Sequence, residues 1–244
     1  MQKTYKAAMV VIGNEILSGR TQDKNINYLA CKLVEQGISL VEVRIVPDHE
    51  GKIIQTLHDL KDCVDYVFTT GGIGPTHDDI TSECVAKACG VEYEMHEEAY
   101  KILEAHYGKE EFNASRQKMA MTPKGAGLIP NPVSTAPGFI IENVYVMAGV
   151  PGIMQAMVDH IVPSLAGGGI IKSETVHCNH PESKIAQALG QIQERWPDVD
   201  IGSYPAYTEG QPSVNIVMRS SDEIKLKKVR LEVEALLKGL DVSG

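Results

Sequence analysis

Three times within the first ninety residues, a strand-like run gives way to a polar loop and then to apolar residues at helical spacing. Ala7–Ile12 (AAMVVI) is continuously apolar, the mark of a strand covered on both faces. After a loop, Ile26, Leu29, Ala30 and Leu33 share one helical face, and Gly37 ends that segment. A second strand, Leu40–Val46, stops at Pro47, and Ile53, Ile54, Leu57 and Leu60 mark the next helix. The third strand, Tyr66–Thr70, runs into a glycine-rich loop, and the segment after Asp79 reads as a helix up to Gly90. This alternation predicts an α/β fold: a parallel sheet with right-handed crossovers.

Beyond Gly90 the pattern loosens. Glu97–Tyr107 and Ala114–Ala120 read as helices, followed by a loop-rich stretch, TPKGAGLIPNPVSTAPGF. GFIIE and VYVMAG form a hairpin-like pair, and Gly152–Ser164 is a helix with Ile153, Met154, Met157, Val158 and Ile161 turned inward. Ala166–Gly169 (AGGG) is a short flexible joint. It separates a large domain, residues 1–166, from a small α+β domain, residues 170–244, whose segments run β, α, β, β, α.

Composition narrows the functions available. Of 244 residues, 43% are hydrophobic, enough for a substantial core. The net charge is −9 and there is no block of five Lys or Arg, which argues against a nucleic-acid groove. No segment approaches the ~18 uninterrupted apolar residues of a membrane span. The five cysteines are odd in number and lack C-x-x-C spacing, so they read as reduced thiols of a cytoplasmic protein.

In an open parallel sheet, ligands bind outside the carboxyl ends of the strands. Glu15 follows the first strand, Asp48 the second, and Asp78 with Asp79 the third. In the third loop, TTGGIGPTHDD, the glycines Gly71, Gly72 and Gly74 let backbone N–H groups converge on an anion. The helix that follows favours phosphate as well. Carboxylates beside a phosphate repel it unless a hard cation lies between them, so glycines and aspartates together suggest a diphosphate–metal site. Plainer readings stand beside this one. Asp78 or Asp79 could cap the helix, Asp48 could be a turn residue after Pro47, and Glu15 a solvated loop residue. Arg116 or Lys118 could clamp a second phosphate or simply face solvent.

TTGGIGPTHDDIT resembles the signature of the molybdopterin-binding (MoaB/MogA, gephyrin-like) fold. GNEILSGRTQDKN, IVPDHEGKI, NPVSTAPGF and AGVPGIM narrow the resemblance to the N-terminal domain of CinA-like proteins, also fused to eukaryotic FAD synthase. It covers about Ala7–Leu165, and the tail from Ile170 resembles the small unit that follows this domain. The family usually reads GTAPGF and LPGVP where this chain has STAPGF and MAGVP.

The resemblance implies a three-layer α/β/α sandwich and a metal-dependent pyrophosphatase acting on ADP-ribose, or on FAD in the FAD-synthase relatives. It implies a diphosphate held by Gly71, Gly72 and Gly74, flanked by Thr70 and Pro75. Asp78, Asp79 and Glu15 would hold a divalent ion (Mg, Mn, Co or Ni), with a monovalent cation as a further candidate. Asp48 or Glu15 would serve water, and Ser134, Thr135, Pro137 and Gly138 would close over substrate. The alternatives are molybdopterin as ligand, in molybdenum-cofactor assembly, or a non-catalytic nucleotide-binding module. Homo-oligomers are expected from the same resemblance. Because the chain stops at Gly244, the deamidase domain of full-length CinA is not expected to contribute.

Overall fold

The computed structural model describes residues 4–208 and 211–242. The chain divides into two compact units, Met1–Gly168 and Gly169–Gly244. Among the described residues, the main sheet of the first unit has six strands: β1 (Tyr5–Ile12), β2 (Ile38–Val46), β3 (Tyr66–Thr70), β6 (Gly127–Ile129), β7 (Gly138–Ile141) and β8 (Val144–Met147). Their order is β2-β1-β3-β8-β7-β6. The first four run parallel, and the β7–β8 hairpin turns the end of the sheet antiparallel.

β1 explains why three layers form. All six residues of its apolar run are buried, and successive side chains leave a strand on opposite faces. Ala7, Met9 and Val11 pack with Leu29 and Leu33 of α2 (Asn25–Glu35) and with Met154, Met157, Val158 and Ile161 of α7 (Pro151–Ile161). Ala8, Val10 and Ile12 pack with Ile53, Leu57 and Leu60 of α3 (Glu50–Lys61) and with Cys84, Val85 and Ala88 of α4 (Thr81–Cys89). Burial pushes the Cys84 thiol up to about 11, so it is a core group and not a nucleophile.

Several boundaries differ from the sequence reading. The loop-rich stretch contains β5 (Met121–Pro123) and β6, three residues each, and β5 pairs with β4 (Tyr93–Met95). Such short strands carry too few residues to show alternation. Between them lie α5 (Glu97–Tyr107) and α6 (Ala114–Lys118), the latter two residues shorter than expected. α4 begins at Thr81 and its N-cap position is Ile80, with no side-chain cap. Neither Asp78 nor Asp79 therefore caps the helix. At the other end Gly90 adopts the left-handed conformation expected of a helix stop.

The second unit has an antiparallel sheet, β10-β11-β9, of β9 (Lys172–Cys178), β10 (Asp200–Thr208) and β11 (Gln211–Ser220). Val214, Ile216 and Met218 of β11 pack with Ile185, Leu189 and Ile192 of α8 (Glu182–Arg195) and with Leu226, Val229 and Val233 of α9 (Glu223–Val242). Among the described residues no helix is long and apolar enough to cross a membrane.

Phe68 on β3 is fully buried and touches Tyr66 and Tyr145, with ring centroids 6.4 and 5.2 Å away. Phe68→Ala is expected to cost about 3–5 kcal/mol, read as a lower denaturation midpoint of the first unit in urea.

Candidate functional site

The carboxyl ends of β1, β2 and β3 each release a loop at the same edge of the sheet. Glu15 lies on α1 (Asn14–Leu17), immediately after β1. Two residues past β2, Asp48 accepts a hydrogen bond through Oδ2 from the Asn14 N–H at 2.8 Å, which ties the first two loops together. The third loop needs its glycines for close approach. Gly71 has φ +100°, and a Cβ there would stand 2.1 Å from the Ile12 carbonyl oxygen. Gly72 has φ +68°, and a Cβ would stand 2.2 Å from Thr81 Oγ1. Any side chain at either position collides and is strained as well. The Gly71 N–H donates to the Met147 carbonyl at 3.2 Å. Gly71 therefore shapes the loop, and its amide is already engaged within the protein.

The two aspartates converge on one hydroxyl. Thr76 Oγ1 lies 2.5 Å from Asp78 Oδ1 and 2.6 Å from Asp79 Oδ2, and the Thr76 N–H also donates to Asp79 Oδ2 at 2.8 Å. A hydroxyl has a single hydrogen, so it satisfies one carboxylate at a time. The Thr76 hydrogen bond, its own backbone N–H, His77 and Lys118 hold the Asp78 carboxyl below the usual range. Asp78 therefore stays ionised at any pH near neutral. Lys118, at the end of α6, donates through Nζ to the Thr76 carbonyl and places a cation beside the loop. Arg116 is committed elsewhere: its guanidinium bonds the Glu111 carbonyl and carboxylate and stacks on Tyr107, 4.2 Å from the ring centroid.

These groups border one cavity of about 510 Å³, within the usual range for small-molecule sites. Glu15, Asp48, Gly71, Gly72, Gly74, Pro75, Asp78, Asp79 and Ser134 all line it. Thr70, Thr135, Pro137 and Gly138 do not. Thr70 is buried behind the glycine loop and donates to the Ala148 carbonyl at 2.8 Å. Thr135 has a positive φ of 68° and meets His106. Pro137 is buried, and Gly138 opens β7. The departure at Ser134 is accommodated, because the positive φ falls on Thr135 instead. Asn131 holds this segment, accepting from the Val133 and Ser134 amides and donating to Ser134 Oγ and the Ala136 carbonyl.

Sequence reasoning missed Asn25. Its Nδ2 donates to Thr70 Oγ1 at 3.2 Å and to the Gly149 carbonyl at 2.9 Å. It thus bolts the start of α2 to the end of β3 and to the loop after β8, where Gly149 lies against the Gly71 Cα and borders the cavity. The signal was available: Asn25 stands in i, i+4, i+8 register with Leu29 and Leu33, on the buried face of α2. Among the described residues, its Oδ1 and the Thr81 hydroxyl, beneath Gly72, are buried without a hydrogen-bond partner.

Among the described residues, no three His, Cys, Asp or Glu side chains are grouped closely enough to hold a metal ion unaided. Asp78, Asp79 and Glu15 border the same cavity without forming a closed cage. A closed cage suits a structural ion. An ion that uses one or two carboxylates and takes its remaining ligands from water and substrate phosphates needs none. Two carboxylates sharing one hydroxyl proton fit that second arrangement.

Residues 8–167 match the family described as "Probable molybdopterin binding domain". The chain belongs to this molybdopterin-binding-domain family. Residues 171–243 match the middle domain of FAD synthase. Within the family the chain is CinA-like. It is 34% identical over 227 residues to a CinA-like protein of Citrifermentans bemidjiense, covering 88% of this chain and 54% of that relative. A relative from Archaeoglobus fulgidus is 35% identical over 230 residues, covering 94% of this chain and 96% of its own length. The crystal structure of the protein CinA, of unknown function, from Thermoplasma acidophilum is similar with a TM-score of 0.63 at 32% identity. It covers 66% of this chain and 98% of that one.

Asn25→Ala is expected to leave the Gly149 carbonyl without its bond and to destabilise the first unit by about 1–3 kcal/mol. Thermal denaturation and amide exchange of residues 70–74 and 148–150 check it, with protection lost there first.

Proposed function

We propose that this molybdopterin-binding-family domain hydrolyses a nucleoside-diphosphate-linked substrate, ADP-ribose, to AMP and ribose 5-phosphate. The observation that supports this reading most is the meeting of four carboxylates and three loop glycines around one cavity. A polar anion-binding loop beside fixed negative charge suits a ligand that arrives with a cation. Mg, Mn, Co or Ni, held by Asp78, Asp79 or Glu15 together with the substrate's phosphate oxygens, would polarise a phosphorus centre and acidify a bound water.

The chain's own groups do the rest. Asp48 is held by the Asn14 N–H, so its carboxylate is oriented before substrate arrives. Either Asp48 or Glu15 accepts the proton of the attacking water, a contribution of typically 10²–10⁴-fold. The loop N–H groups beyond Gly71 and the dipole of α4 stabilise charge developing on the phosphoryl oxygens. Lys118 moves from the Thr76 carbonyl to the second phosphate, which neutralises charge on the leaving group. Asn131, Ser134 and Ala136 line the cavity as well.

The test is AMP release from ADP-ribose, FAD and related dinucleotides across a panel of divalent ions. Metal-dependent cleavage of ADP-ribose is expected, and Asp78→Asn should lower kcat by about 10²-fold or more while leaving the circular dichroism unchanged. Lys118→Ala should raise KM more than it lowers kcat, since it removes a binding contact. If none of these substrates is cleaved with any of the four metals, the hydrolase reading is lost.

The family match itself favours a second reading, a molybdopterin ligand in molybdenum-cofactor assembly. Pterin fluorescence co-purifying with the protein would favour it. Tight, metal-independent nucleotide binding without product, seen by calorimetry, would favour a non-catalytic module instead.

A further inference from the structure

β2 is the terminal strand of the six-stranded sheet, and among the described residues no other strand pairs with its outer side. Along its nine residues, the backbone groups directed away from β1 make a template for another strand. Most proteins guard such an edge with charge or keep it short. This one is long and carries exposed apolar residues interleaved with its charged ones. Val41, Val43 and Ile45 are 52%, 36% and 40% exposed. Val43 and Ile45 stand in register with Met9 and Val11 of β1, so they lie on the sheet face that α2 and α7 cover further in. A register shift between Ala7 and Ala8 leaves Val41 as the extra residue. Beyond it the strand continues regularly to Val46.

The charged residues on this edge are ordered in one particular way. Val41-Glu42-Val43-Arg44-Ile45 is self-complementary about Val43: apolar, acidic, apolar, basic, apolar, so that its reverse sets base against acid. When two copies of this segment pair antiparallel about a two-fold axis at Val43, Val43 faces itself and Val41 faces Ile45. Glu42 of each chain then faces Arg44 of the other, twice. An isologous contact requires this self-complementarity, and opposite-charge cross-strand pairs reward it. Within one chain Arg44 already bonds Glu42 and Asp59 of α3, at 2.7 Å each. The guanidinium is therefore held at the edge by two carboxylates of its own chain, which a partner's Glu42 would join.

We propose that β2 is a self-association edge, and that the protein pairs with a second copy through residues 41–45 to form one continuous sheet across the dimer. Antiparallel pairing points the carboxyl ends of the two β2 strands in opposite directions. Each cavity, bordered by the Asp48 that follows β2, then opens at its own end of the joined sheet. This inference does not depend on the proposed hydrolysis.

Sedimentation velocity on the full chain tests it. The wild-type protein is expected to sediment as a dimer and Val43→Lys as a monomer, because two ammonium groups would meet on the axis. Like-charge juxtaposition of this kind should weaken dimerisation by about a hundredfold or more. Val43→Cys provides an independent readout. Directly opposed residues of an antiparallel pair have Cα atoms about 4.5–5.5 Å apart, within disulfide reach, so diamide should cross-link the variant between chains. The wild type, with exposed Cys31 and Cys63, and Leu231→Cys serve as controls and should not cross-link comparably. A monomeric wild-type chain overturns the proposal. So does a dimer in which Val43→Cys cross-links no better than the controls.

Discussion

The geometry of the candidate site depends on how closely the glycine loop approaches the end of the first strand. Gly71 sits where any Cβ would stand 2.1 Å from the Ile12 carbonyl, and Gly149 lies against Gly71 in turn. Three backbone segments thus touch with no side chain between them. Asn25 fastens that contact from beneath, through Thr70 and the Gly149 carbonyl. Among the described residues its own Oδ1 is buried without a partner, an arrangement that costs free energy and persists only where packing over-determines it. The core clusters above and below β1 supply that packing.

Held in this way, the sheet edge combines two opposed electrostatic tendencies. A backbone loop and a helix N-terminus attract anions, whereas Glu15, Asp48, Asp78 and Asp79 repel them. The conflict is sharpest at Thr76, where two carboxylates approach one hydroxyl proton. Lys118 sits just outside, bonded to the Thr76 carbonyl. A ligand carrying both phosphate and a cation relieves this conflict, and an uncharged ligand would not. That asymmetry favours the nucleotide reading over a neutral small molecule, whatever the identity of the group linked to the diphosphate.

The structure also separates residues that look alike in the sequence. Arg116 and Lys118 lie on the same short helix, yet one is stacked on Tyr107 and bonded to Glu111 while the other reaches the loop. Gly71 and Gly72 are adjacent, yet the first has its amide bonded to Met147 and the second faces Thr81. Ser134 borders the cavity while Thr135 beside it turns toward His106. In each pair one member is set by a contact tens of residues away along the chain: Lys118 by Thr76, Gly71 by Met147 and Thr135 by His106.

What the sequence determined by itself was whatever short-range chemistry controls. Continuous apolar runs marked the buried parallel strands, 3.6-residue spacing marked the long helices, and Gly90 marked a helix stop. Even the gathering of acidic loops at one edge followed, because parallel strands all end on the same side. What only the tertiary structure decided was every feature made by residues distant in sequence. The three-residue strands β4, β5 and β6 exist because a partner supplies their hydrogen bonds, with no periodicity of their own to announce them. Asp78 and Asp79 are a local exception: two short-range preferences compete there, the cap of α4 and Thr76, and Thr76 takes both. The role of Asn25 became visible only when β3 and the loop after β8 were brought to it. A pattern within one element encodes which face is buried, whereas the identity of the group across that face is a property of the assembled fold.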